Sequence, residues 1–325
     1  MNKISFLIFI FIVCLLSPAD GASIGMLSGD TTIAVVGYFC KGDTMNYHVD
    51  KMSYEFHDND TIKEKDYSYN FQIAVLDSTQ GGYRMELQYS DFDLSKMKDY
   101  SYEKKILSGF SQLEHYKFYF TVGEYGNMLH LENWRSVRDR LYNIYNVAID
   151  SIYSHTDSLA QIMPRSSLMS FLGLQMDDES SVMQQLGELG FLFGNHGQEF
   201  KIGKFSKSSS DLGYKTQNMM IAGYVEPIDP ENDTNGDYRI FNGSEVTIPA
   251  KDVRDMGFTT MSTGGGDLVA DKSLTETYFY IGWPKRVEYL EQAALGGKTV
   301  KASQTIINWS ERNFKGYINS TNLCN

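Results

Sequence analysis

The segment Glu231-Asn232-Asp233-Thr234-Asn235-Gly236-Asp237 has the residue types and spacing best suited to chemistry. Side-chain oxygens at alternate positions ahead of a glycine are what a calcium loop supplies. A hard cation takes several oxygen ligands, and the glycine permits the sharp bend. Glu231, Asp233, Asn235 and Asp237 are the candidate metal ligands. Two departures weigh against them: the first position is Glu rather than Asp, and the twelfth is Asn242 where a bidentate Glu belongs. Ordinary polar hairpin loops have the same composition, so a calcium loop and a plain turn both stand.

Other chemistry finds little support. The six histidines, His48, His57, His115, His130, His155 and His196, show no pair at metal-ligand spacing. No Gly-x-Ser-x-Gly elbow exposes a serine. Ser95-Lys96-Met97-Lys98 and Ser101-Tyr102-Glu103-Lys104 match Ser-x-x-Lys without its companion motifs. Gly264-Gly265-Gly266-Asp267 lacks the Lys-Ser/Thr of a phosphate loop. A glycosidase needs two acids held across a cleft, and nothing singles out two of the 41. No catalytic residue and no cofactor are assigned.

Binding is better supported than catalysis. Met163, Met169, Phe171, Met176, Met183, Phe191 and Phe193 form an adaptable apolar set, and methionine suits surfaces that accept varied apolar partners. The four methionines fall six or seven residues apart and roughly share a face. The same residues would equally serve as core. Tyrosine-rich strands offer a rival reading as sugar-stacking platforms, provided that rings such as Tyr83 and Tyr89 point outward. Cys40 and Cys324 can pair in an oxidising compartment, or remain two separate thiols.

These residues must be positioned by elements that the pattern also predicts. Lys3, an apolar run from Ile4 to Leu16, and then Ala19-Asp20-Gly21-Ala22 form the three parts of a secretory signal peptide over residues 1–22. Cys14 lies inside the apolar run, away from any lipid-attachment position. The expected location is therefore outside the cytoplasm: periplasm, cell surface or extracellular. The net charge of −12 argues against nucleic acid. No second stretch is apolar for long enough to cross a membrane as a helix, so an integral membrane protein is not expected. Aromatics at 14% shift the expectation toward β structure.

Strands are expected over residues 31–131, where Tyr83–Tyr89 alternates apolar and polar with period two. Gln80-Gly81-Gly82 and Gly123–Asn127 read as hairpin turns. From Asn133, which can cap a helix, Trp134, Val137, Leu141, Ile144, Ala148 and Ile152 recur at helical spacing. Ser158–Leu174 and Glu179–Phe193 read as further helices, completing a block over residues 133–195. Strands return over residues 197–310, including one at Tyr278–Leu290, while Ser206–Leu212 reads as an exposed loop. The expected architecture is a single α+β domain over residues 23–325. It would be a long curved antiparallel sheet with a central helical block packed on one face.

Three segments carry a resemblance: Val75-Leu76-Asp77-Ser78-Thr79 ahead of its Gly-Gly turn, Gly123-Glu124-Tyr125-Gly126 running into Leu131-Glu132-Asn133-Trp134, and Gly282-Trp283-Pro284-Lys285-Arg286-Val287. In these the chain resembles exported bacterial proteins of unknown function. The arrangement of sheet and helices is also similar to that of the lipoprotein-localisation carriers, which hold acyl chains in an apolar cleft. Fold does not fix function, and the expectation rests instead on the signal peptide, the strand–helix–strand order and the Met-rich helical block: a non-enzymatic cell-envelope protein that holds a lipid or other apolar ligand, or an apolar protein segment, between sheet and helices. The alternatives are a surface module for an envelope glycan or protein, and a hydrolase of envelope polymers.

Overall fold

The computed structural model describes residues 31–57, 60–97, 102–154, 164–211, 214–226, 236–255 and 266–314. The expected signal peptide, Met163, Cys324 and three of the four candidate metal ligands (Glu231, Asp233 and Asn235) lie outside them.

Alternating apolar residues drive the first strands. β2 (Thr44–His57), β3 (Asp60–Thr79), β4 (Gly82–Asp93), β5 (Lys117–Gly123) and β6 (Met128–Leu131) form a meander of antiparallel neighbours. Met45, Tyr47 and Val49 of β2 are buried, as are Met85, Leu87 and Tyr89 of β4, each at period two. The turn after β3 needs a glycine. Gly82 has φ +140°, and a Cβ there would lie 2.1 Å from the Val122 carbonyl oxygen.

Helices α2 (Trp134–Tyr153), α3 (Arg165–Leu174), α4 (Glu179–Gln184) and α5 (Gly187–Phe193) follow, after a short α1 (Tyr102–Phe110) between β4 and β5. In α2, Val137, Leu141, Ile144 and Ala148 bury one stripe as their spacing predicts. Asn133 ties that helix to the sheet: its Oδ1 accepts the Tyr119 backbone N–H at 3.0 Å, and its Nδ2 donates to the Lys117 carbonyl at 2.9 Å. The expected Glu179–Phe193 helix is two helices, broken between Gln184 and Gly187. Asp178 caps the first of these by accepting the Ser181 N–H at 2.7 Å. One buried cluster joins Val137, Val182, Leu189 and Leu192 of these helices to Val49, Phe71 and Leu87 of the strands.

The chain then returns to the sheet from its far edge. β1 (Thr32–Ala34) and β7 (Glu199–Lys201) make a two-stranded sheet, and β8 (Gly203–Asp211), β9 (Tyr214–Tyr224), β10 (Tyr238–Ile248), β11 (Leu268–Tyr278), β12 (Pro284–Leu295) and β13 (Lys298–Asn313) a second meander. A short α6 (Ala250–Asp255) precedes β11. β13 pairs with β2, so among the described residues eleven antiparallel strands make one open sheet, β6-β5-β4-β3-β2-β13-β12-β11-β10-β9-β8.

Two expectations are corrected. Ser206–Asp211 belongs to β8, an edge strand whose polar residues show no apolar alternation because neither face is deeply buried. The expected strand Tyr278–Leu290 is interrupted after Tyr278. Gly282 turns the chain at φ +90°, and a Cβ there would lie 2.1 Å from the Val36 carbonyl.

Candidate functional site: the seam between helix and sheet

α5 carries the apolar run Leu189–Phe193 together with one charge, Glu188. Glu188 is buried, and a buried carboxylate needs partners. Lys51 of β2 supplies an ammonium 2.8 Å from Oε1, and the Tyr69 hydroxyl donates to the same oxygen. The Tyr89 hydroxyl donates to Oε2 at 3.0 Å. Burial alone would push Glu188 up and Lys51 down; the attraction between the two charges reverses both shifts. Glu188 is held near 2 and Lys51 near 12, so the pair is ionised at neutral pH. With both oxygens hydrogen-bonded, this carboxylate ties α5 to strands β2, β3 and β4.

A second buried polar group fixes the chain just beyond α5. The amide of Asn195 donates to Glu276 of β11, whose other oxygen accepts the Tyr278 hydroxyl at 2.7 Å. Among the described residues no ion pair joins Glu276 to a cation, and burial raises it to about 8, which favours its protonated form at pH 7. Next to it, His196 Nε2 sits 2.9 Å from the Gly282 carbonyl, and burial lowers this imidazole to about 4. A neutral ring donating from Nε2 leaves Nδ1 a bare lone pair, and Nδ1 has no hydrogen-bond partner among the described residues. α5 is therefore pinned at both ends.

The strand register shows what lies beside the pinned helix. Tyr67, Lys51, Thr305, Tyr289, Leu274, Asn242, Met220 and Phe205 stand opposite one another in turn, from β3 through to β8. Directly opposed residues share a face. The row thus lies on the face of the buried helix–sheet cluster. Its five apolar members, Tyr67, Tyr289, Leu274, Met220 and Phe205, are all half-buried. Phe191 of α5 meets the row at Tyr289, with ring centroids 4.9 Å apart.

No protein-family model matches this chain, and no curated protein matches it. Among solved structures it is similar to lipovitellin, in a structure concerned with lipid–protein interactions, with a TM-score of 0.41 and 9% identity. The match covers 87% of this chain but 26% of that one, so this chain spans about a quarter of its neighbour. A likeness that distant carries no argument about function.

The predicted site residues fare unevenly. Met169, Met176 and Phe193 are buried core; Phe171, Met183 and Phe191 are half-buried. The methionines do not share one helix face, because Met169 lies on α3, Met176 in the link after it and Met183 on α4. Asp237 is buried, with Lys285 Nζ 2.8 Å from one oxygen and the Tyr280 N–H donating to the other. Among the described residues no group of three or more His, Cys, Asp or Glu is placed to hold a metal. The outward-ring reading of Tyr89 is corrected: it is 4% exposed and bonded to Glu188. Tyr83 packs edge-on against Phe39 at 5.1 Å. Cys40 is buried and disulfide-bonded. Among the described residues no helix is long and apolar enough to cross a membrane.

Lys51, Glu188, Asn195 and Glu276 were not singled out by sequence. Glu188 left one usable trace, a lone charge within Leu186–Phe193, where a helix with apolar residues all round would have to pair it.

Proposed function

We propose that this is an exported, non-enzymatic binding protein of the cell envelope, which holds an apolar ligand or protein segment between its helical block and its sheet. The supporting observation is the half-buried row that runs from Phe191 across Tyr289, Leu274, Met220 and Phe205, apolar except where Asn242 stands between Leu274 and Met220. A row of this kind beside a helix pinned at both ends is a preorganised apolar strip, and small-molecule sites are mostly apolar and largely preformed. Export rests on the signal pattern of residues 1–22.

Native mass spectrometry of protein recovered without organic solvent tests the reading. The expected result is an extra lipid-sized mass that organic extraction removes. Delipidated protein should then take up a fluorescent fatty acid, and Leu274→Asp should weaken that uptake at least tenfold. A clean protein mass together with no uptake would overturn the reading.

A further inference from the structure

The opposite face of the sheet carries a cleft of about 400 Å³ on strands β13, β2, β3 and β4 and the turn before β5. That volume falls within the roughly 300–1,000 Å³ of small-molecule sites. Its floor is a cross-strand line of amides. Gln72 Nε2 donates to Asn46 Oδ1 at 2.8 Å, and Asn46 Nδ2 donates to Glu311 Oε2 at 3.0 Å. Gln88, opposite Gln72 in register, reaches His115 Nδ1 at 3.2 Å. A second line lies beside the first: Asn70 Nδ2 donates to Asp91 Oδ2, and Ser90 Oγ donates to the same oxygen, both at 2.9 Å.

The backbone marks the same place. Among the described residues, Asp91 (φ +56°) and His115 (φ +61°) are the two non-glycine residues with positive φ, and both line this cleft. These residue types reach the left-handed region more readily than most, yet the conformation still costs free energy and tends to collect at binding sites. β4 shifts register against β3 in this region, between Ser68 and Asn70, and the chain returns at Glu114 to bridge Tyr89. The bulged strand and the returning turn together aim Asp91 and His115 at the amide lines.

The chemistry of the lining selects the ligand. Each amide offers two donors and two acceptor sites, and the observed bonds orient these groups without exhausting them. Among the described lining residues there is no lysine or arginine, and there are two carboxylates, Asp91 and Glu311. Hydrogen bonds from Asn70 and Ser90 hold Asp91 below the ordinary carboxylate range. Phosphate, sulfate and nucleic acid are thus disfavoured. An added peptide strand is disfavoured too, because all four strands are already paired on both sides. A neutral hydroxyl-rich molecule fits, since each hydroxyl both donates and accepts. We infer that this cleft binds a neutral oligosaccharide, on the face of the sheet opposite the proposed apolar site.

The test is an array of neutral glycans, with heparin and sulfated glycans included as anionic probes, read with the wild-type chain and with Gln72→Ala, Asn46→Ala and Asp91→Asn. Thermal midpoints and circular dichroism check that the variants fold. The expected result is retention of at least one neutral glycan, weakened at least tenfold by Gln72→Ala or Asn46→Ala, with fatty-acid uptake unchanged. Retention of heparin or sulfated glycans alone would overturn the inference. So would failure to retain any neutral glycan at millimolar concentration, or retention indifferent to all three substitutions in folded protein. None of these outcomes touches the apolar reading, whose residues lie on the other face.

Discussion

Lys51 of β2 and Glu188 of α5 are 137 residues apart in sequence and meet at 2.8 Å. Removing one partner of such a pair leaves the other charge poorly solvated, at a cost of about 3–5 kcal/mol when fully buried. The Lys51 side chain is 28% exposed, so Glu188→Gln should cost about 3 kcal/mol, at the low end of that range. Urea unfolding followed by circular dichroism measures this. A loss below about 0.5 kcal/mol, as for a surface pair, would contradict the clamp.

Acid should attack the same contact. Glu188 titrates well below the roughly 4.3 of an unfolded glutamate. Its stabilising contribution is therefore complete above that value and is lost as pH falls toward about 2. Wild type should lose stability steeply over this window. Glu188→Gln should show a shallower loss in the same unfolding series.

Glu276 predicts the opposite slope at higher pH. It keeps a proton up to about 8, while the unfolded chain releases that proton near 4.3. Between these values the folded state binds more protons, so stability falls as pH rises. His196, lowered to about 4, contributes a rise in stability from there to about 6.5. The two slopes oppose each other up to about 6.5, above which Glu276 acts alone of the pair. Thermal midpoints should drop between pH 6.5 and 8 in wild type, and the drop should vanish in Glu276→Gln. An unchanged drop in that variant would assign it to other groups.

Gly82→Ala should destabilise the β3–β4 hairpin. Its φ of +140° is strained for alanine, and the new methyl would meet the Val122 carbonyl at 2.1 Å. Strain of this kind costs roughly 1–3 kcal/mol before the clash is counted. Gly81→Ala, where the new carbon would have as its nearest neighbour the Thr79 hydroxyl at 4.0 Å, serves as the control. Calorimetry should separate the two midpoints by several degrees; equal midpoints would refute the steric argument.

Cys40 is disulfide-bonded, and Cys324 is the expected partner, since Cys14 lies within the expected signal peptide. A non-reducing peptide map of protein kept under oxidising conditions should recover the Cys40 and Cys324 peptides joined. Recovery of two free thiols there would rule the pairing out.

The strand–helix–strand order was legible because Tyr83–Tyr89 and Val137–Ala148 repeat at the periods of a half-buried strand and an amphipathic helix. β11 was not read. Its Asp271-Lys272-Ser273 segment is half-exposed on both faces, so burial imposes no alternation. The amide cleft was not read for a related reason. Asn46, Gln72 and Gln88 sit at outward positions of three strands, where each alone is an ordinary polar residue. Pairing register, which no local pattern encodes, is what brings them into one line.

The union of β2 with β13 also governs how the molecule must be made. Asn46 and Glu311 touch across that seam, yet 265 positions separate them. Contacts this distant in sequence slow folding. A ribosome or a translocon delivers β2 long before β13, and until β13 arrives both β2 and β12 expose an unpaired backbone edge. Such edges recruit other chains. A chain built this way gains from any holdase that keeps those two borders apart from their counterparts in neighbouring nascent chains until β13 closes the seam.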